Sequence, residues 1–364
     1  MPTRRFSRRA LRLPAAMLVL SLSGGFHETP LAGEPDAAGP SHGTMAKPVR
    51  RYAPDYPRYE LHRGRAGWVK LSFVVTEEGR VVDPIVEDSS GSSRFEEAAL
   101  KVVRKWRYEP ATIEGQPVQQ CQTETLIRFE LEPKAIGAGR KYRRAHRRIS
   151  RLLETGEIDE AEALIAETEQ EDGLNAYEIA RLWMLKAIVA GERGDESAQL
   201  AALKRTIASK GAWIEDELYP SLLRSVLALK IRLGRYGSAL GTYEDYVEAT
   251  GSDEGLGALR EVVGEIRAAA AGPAPLLVEA NIGDGAACEE CRSSWHYRPL
   301  RNAFTIADIE GAADELEIRC DWQRVTDTVR EGVQWNIPAS WGDCRVIVTG
   351  EKGTRFSFYE MPEA

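Results

Sequence analysis

Histidine and cysteine are scarce, five of each in 364 residues, and neither gathers where a reaction would need it. His27, His42, His62, His146 and His296 are scattered, and none stands beside a Ser or Cys with an orienting acid. Zinc-protease helix, phosphate loop and dinucleotide fingerprint are all missing. The chain therefore reads as a non-enzyme without a cofactor. An excess of basic residues is missing too: 48 Lys and Arg face 56 Asp and Glu, a net charge of −8 that argues against nucleic acid as a partner. The 29% of charged residues, with no long hydrophobic run, excludes a multi-spanning membrane protein.

The one short apolar run, Leu13 to Leu22, follows five arginines and is interrupted by Pro14. At about half the roughly 20 residues of a spanning helix, it has the layout of a secretory signal over residues 1–23, or of a short uncleaved anchor. Cleavage after Ser23 removes five arginines and no acid, taking the charge from −8 to −13. An acidic exported protein is expected, in the periplasm or held at the inner membrane by that segment. Residues 24–55, rich in Gly, Pro, Ala and Ser, read as a flexible linker.

A pattern begins at residue 56. "GWVKLSFVV" puts Val69, Leu71, Phe73 and Val75 on one face of a half-buried strand. "TEEGR" turns the chain, and Pro84 makes the next strand an edge or a bulged one. Phe95, Ala98, Ala99, Val102, Val103 and Trp106 recur at helical spacing, with Glu96 and Glu97 on the water side and Ser92 or Ser93 as cap. "CQTETLIRFEL" supplies a third strand in which Cys121 is a small buried hydrophobe. The unit is strand–strand–helix–strand, residues 56–133.

Residues 139–271 carry amphipathic helices without strand signals. Gly156, Gly194 and Gly234, 38 and 40 residues apart, each precede an alanine (Ala161, Ala198, Ala239). The spacing suggests stacked helix hairpins that loosely resemble tetratricopeptide repeats. The first of these helices holds seven Lys or Arg between Arg140 and Arg151. That is either a solvated or ion-paired face, or a contact for anionic lipid or another acidic envelope partner.

Residues 276–364 hold short β-rich runs, which suggest a small sandwich or partial barrel. The fold class is thus multidomain α+β. Four of the five cysteines lie in this last unit. A cross-strand or inter-sheet disulfide between Cys320 and Cys344 is the simplest pairing, leaving Cys288 with Cys291. A zinc site would want two close pairs, and the second pair here is 24 residues apart. Trp295, Trp322, Trp335 and Trp341 fit packing against that disulfide, with a carbohydrate-stacking face as the alternative.

One stretch is specific. Tyr56-Pro57, Gly67, Glu78-Gly79-Arg80-Val81, Ser89-Ser90-Gly91, Ala98-Ala99-Leu100, Lys105-Trp106, Tyr108, Pro110-Ala111 and Gly115-Gln116-Pro117-Val118 follow in an order that resembles the carboxy-terminal domain of the TonB family. The resemblance implies a periplasmic domain that grips a segment of outer-membrane transporters by strand pairing. It points to Gln122, Thr123, Glu124, Leu126 and Arg128 on the third strand as the docking edge, and to Tyr56, Pro57 and Arg58 as a second contact. The alternative is an envelope structural or assembly protein that binds its partner through the helical repeats.

Overall fold

Every residue of the first long strand except one is buried on both faces, not on one. The computed structural model describes residues 43–131, 137–208, 213–283 and 293–362. Residues 1–23, most of the linker, and Cys288 and Cys291 lie outside these.

The first unit runs β1 (Gly43–Thr44), β2 (Lys47–Arg50), α1 (Arg58–His62), β3 (Gly67–Val75), β4 (Val81–Ser89), α2 (Ser93–Val103), β5 (Arg107–Glu109), β6 (Ala111–Ile113), β7 (Gln116–Val118) and β8 (Gln120–Phe129). β4, β3 and β8 form an antiparallel sheet in that order. Val69, Leu71, Phe73 and Val75 pack with Phe95, Ala99, Val102, Val103 and Trp106 of the α2 segment, as their spacings predict. β4 is an edge strand, and its pairing with β3 slips where Asp83 takes a positive φ of 46° before Pro84. The turn between β3 and β4 needs Gly79: its φ is +73°, and a Cβ there would stand 1.8 Å from the Tyr108 carbonyl oxygen.

Three local expectations change. Ser92 is the residue before α2, but its hydroxyl does not cap the helix; it donates to the buried Glu60 carboxylate at 2.9 Å. Glu96, expected to face water, is 1% exposed and accepts from the Ser89 hydroxyl. Within the stretch read as linker, β2 pairs with β5, and β1 with β6.

Among the described residues, seven α-helices follow: α3 (Arg140–Thr155), α4 (Ile158–Glu169), α5 (Ala176–Glu192), α6 (Glu196–Ile207), α7 (Tyr219–Arg232), α8 (Tyr236–Thr250) and α9 (Ala258–Ala270). Gly156, Gly194 and Gly234 fall in the turns α3–α4, α5–α6 and α7–α8, all with positive φ (81°, 74° and 68°). That conformation is the usual way to end a helix and reverse the chain. Asn175 opens α5 with a capping box completed by Glu178.

The last unit comprises β9 (Leu276–Asn281), β10 (Ser294–Tyr297), β11 (Ala303–Glu310), β12 (Ala313–Cys320), β13 (Arg324–Thr328), β14 (Gln334–Asn336), β15 (Cys344–Gly350) and β16 (Arg355–Met361). They make two four-stranded antiparallel sheets, β10-β15-β12-β13 and β14-β11-β16-β9, whose inner faces share one core around Phe304, Trp335, Ile318, Val346 and Phe358. This is a sandwich. Cys320 and Cys344 oppose each other on β12 and β15 and are disulfide-bonded, with Cα atoms 3.9 Å apart. Between α9 and β9, the buried Arg301 donates to the carbonyls of Ala269, Ala270 and Gly272 and so fastens the end of α9 to the sandwich.

Candidate docking edge and its intrachain cover

β8 is the terminal strand of its sheet, paired on one side only, with Gly67 opposite Phe129 and Phe73 opposite Thr123. Its odd-numbered Ile127 and Phe129 point into the α2 core, and the even-numbered Leu126 points the other way, into the helices. The five expected edge residues all lie on this strand. Thr123 is buried, Gln122 and Leu126 are half-buried, and Glu124 and Arg128 are exposed. Arg128 lies over the Trp213 ring, 5.6 Å from its centre. Leu131, read as the last residue of the strand, falls beyond it.

Tyr56 meets the far end of that strand. Its ring packs edge-on against Phe95 and Phe129, at 5.7 and 5.8 Å, and its hydroxyl donates to the Arg65 carbonyl. Burial raises its phenol pKa to about 12, aided by Glu60 and Glu130, so the hydroxyl remains a donor. Pro57 accepts the Leu61 N–H at the start of α1, and Arg58 is exposed. All three line a groove of about 1000 Å³ against α2, together with Arg94, Lys101 and Lys105. The two expected contacts therefore adjoin through Tyr56, but they face different surroundings.

What the sequence pattern did not reveal is how much of this sheet the rest of the chain covers. The Cys121 N–H donates to the Asp321 carbonyl at 2.8 Å, and the Gln122 side-chain amide to the Asp343 carbonyl at 2.6 Å. Arg345 pairs with Glu87 and, at 3.5 Å, with Glu124; Arg324 pairs with Asp83. Burial pushes the Glu87 carboxyl up, but Arg345, His296 and hydrogen bonds from Ser72 and Arg345 more than offset it and hold the carboxyl at about 2. Beside these polar contacts, Trp68 packs with Ala180, Leu203 and Trp213 of the helical unit. Asp88 pairs with Arg205 at 3.0 Å. The strand β3 is buried on both faces for this reason.

From Thr123 to Phe129 the outer edge of β8 makes no backbone hydrogen bond to another element among the described residues. Seven residues of strand span roughly 23 Å. That open stretch offers hydrogen bonding to an added strand, and little else chemically. Burial raises the Cys121 thiol to about 11, which keeps it protonated and inert. Among the described residues no His, Cys, Asp or Glu group is placed to hold a metal ion, and no helix is long and apolar enough to cross a membrane.

Residues 52–131 match the family model described as Gram-negative bacterial TonB protein C-terminal. The chain is 32% identical over 111 residues to "Protein TonB" of Pseudomonas aeruginosa, covering 29% of this chain and 32% of that protein. It is 28% identical over 108 residues to "Protein TonB" of Vibrio cholerae, covering 27% and 43%. It thus spans less than half of those relatives' length. The solution structure of the Pseudomonas aeruginosa TonB carboxy-terminal domain is 34% identical, covering 25% of this chain and 91% of that one, with a TM-score of 0.23. With the sheet order, the α2 packing and the Gly79 turn already placing the matched motifs in one unit, residues 52–131 are a carboxy-terminal domain of the TonB family.

Proposed function

We propose that the chain is a TonB-like periplasmic binding protein whose β8 edge receives an extended segment of an outer-membrane transporter, in energy-coupled uptake. The observation that carries this reading is the open edge from Thr123 to Phe129 on a terminal strand. Main-chain hydrogen bonds of an added strand supply affinity, and side chains beside the edge, Glu124 and Arg128 first, supply selection. The protein acts by binding and catalyses no reaction. Coupling to an inner-membrane motor requires that residues 1–23 remain as an anchor, whereas cleavage leaves a soluble periplasmic module.

A photo-crosslinking residue at Thr125, followed by mass spectrometry of cell-envelope fractions, is expected to recover an outer-membrane transporter. Recovery of cytoplasmic proteins alone would sink the proposal. Sequencing the amino terminus of the purified protein decides between anchor and soluble module: an intact Met1 in the inner membrane keeps motor coupling, and a start near Gly24 removes it.

A second reading is an envelope assembly protein that binds through its helices. In its favour is a groove of about 380 Å³ among α4, α5 and α6, lined by Ile165, Trp183, Val189 and Ala190. Ala166→Arg with Ala198→Arg would fill this groove from exposed positions. Partner capture that survives the pair of substitutions favours the β8 edge, and capture that is lost favours the helices.

A further inference from the structure

Lys141 of α3 pairs with Glu171 and Arg143 donates to the Ala138 carbonyl, but the helix carries a row of four further charges that make no such contact among the described residues. Arg140, Arg144, Arg147 and Arg151 are all exposed, and at 3.6 residues per turn they fall within about 60° of one another along roughly 16 Å of helix. The buried seam of the same helix, Tyr142 and Ile149, is 3% and 0% exposed and lies on the opposite side. None of the four arginines has an ion pair or side-chain hydrogen bond among the described residues. Elsewhere in the helical unit some basic side chains are spent internally, Arg193 on Asp159 and Glu162, and Arg205 on Asp88.

The row opposes the stability of its own helix in two ways. Like charges three and four residues apart repel. Arg140 and Lys141 also stand at the amino-terminal end, where the helix dipole is positive, and the first turn holds no acid. In a chain with more acid than base, such segregation calls for a negative counterpart outside the protein.

We infer that α3 is a docking surface for a membrane leaflet bearing anionic phospholipid, which holds the helical unit against it by electrostatic attraction. The exposed face offers guanidinium groups in a straight row. It has no apolar or aromatic anchor, and neither groove described above takes a residue from α3. An acidic peptide would need pockets or a free strand edge to be held in register, whereas a plane of headgroup phosphates needs only matching charge. The attachment is superficial and salt-sensitive, because exposed charges are screened beyond about 10 Å at 0.1 M salt. It is independent of the β8 edge: the outcome below is the same whether or not a transporter is ever recovered there.

The test is co-sedimentation of the full chain with vesicles of phosphatidylcholine containing 30% phosphatidylglycerol, against vesicles of phosphatidylcholine alone. Binding to the anionic vesicles only, abolished at 0.5 M salt, is expected. Arg144→Gln, Arg147→Gln and Arg151→Gln together should lower the partition coefficient about a hundredfold, since one basic residue near an anionic surface is worth roughly fivefold. The corresponding triple lysine variant should retain most of the binding. Arg224→Gln, Arg260→Gln and Arg330→Gln together, a change of equal charge elsewhere, should leave it nearly intact, with circular dichroism showing that every variant is folded. Equal binding to both kinds of vesicle, no binding to either, or equal losses in the two glutamine variants would each overturn the assignment. So would displacement of the protein from the vesicles by millimolar inorganic phosphate, which would assign the row to free anion, or tight capture of soluble polyglutamate with no vesicle binding.

Discussion

Glu87 on β4 and Arg345 on β15 are ion-paired across 258 residues of sequence. They join two units that each own a complete hydrophobic core, and both side chains are less than one-fifth exposed. Their pairing has a defined dependence on acid. The folded carboxyl sits at about 2 against an ordinary 4.5, so it binds fewer protons than the unfolded chain does between those values. The stabilisation is complete above 4.5 and is lost as pH falls from 4.5 toward 2. It amounts to about 3 kcal/mol. Urea unfolding followed from pH 7 down to pH 2.5 should show this slope in the wild type and lose it in Glu87→Gln. Removing only the guanidinium, in Arg345→Met, should destabilise more than removing both charges, because it strands a buried carboxylate.

Gly79 is the tightest point in the TonB-family domain. Alanine there adds a Cβ against the Tyr108 carbonyl in a backbone conformation, φ +73°, that side chains avoid. Gly79→Ala should cost about 2 kcal/mol or more in chemical denaturation. It should also speed amide exchange at Tyr108, whose N–H donates to the Gly79 carbonyl at 2.9 Å.

Trp68 is 2% exposed, yet it packs with helices rather than with its own sheet's core. Trp68→Ala should cost about 3–5 kcal/mol. The loss should fall on the contact between units: limited proteolysis would release residues 43–131 as a fragment sooner in the variant than in the wild type. An unchanged digestion pattern would show that the helices dock by other means.

The Cys320–Cys344 disulfide closes a loop of 24 residues. On the chain-entropy account that is worth about 3 kcal/mol. Cys320→Ala with Cys344→Ala should lower the thermal midpoint, with the change in amide exchange concentrated in β12 and β15. The Cys121 thiol, buried and protonated, should resist alkylation at pH 8 until denaturant is added, as read by peptide mass mapping.

The elements were legible wherever one side of them dominates the packing. The α2 stripe from Phe95 to Trp106 sits as its period requires, and three glycines mark three helix turns. β2 leaves no trace in the sequence pattern for a physical reason: all four of its residues are exposed, so it has no apolar alternation. Ser92 and Glu96 depart from the pattern because buried carboxylates compete for hydroxyl groups, and sequence spacing does not record that competition. The strand β3 looked half-buried because only one of its faces is covered from within its own unit. The other meets Trp213, while Arg345 bridges Glu87 and Glu124 on the two neighbouring strands; both lie far along the chain, and neither carries a local signature of where it docks. Candidate edge residues were found through resemblance. That Gln122 is tied to the sandwich, while Glu124 to Arg128 have an open main-chain edge, was not.

In the proposed docking, the two hydrogen bonds from Cys121 and Gln122 to Asp321 and Asp343 would give the sandwich a role in measurement. They plug one end of the β8 edge, so a strand laid along it cannot slide past residue 123. A lone sheet edge tolerates slippage, and here the chain supplies its own zero mark. Were a guest strand to add there, its alignment would be set by a unit lying some two hundred residues downstream, and a change in how that unit seats would shift the register in steps of whole residues.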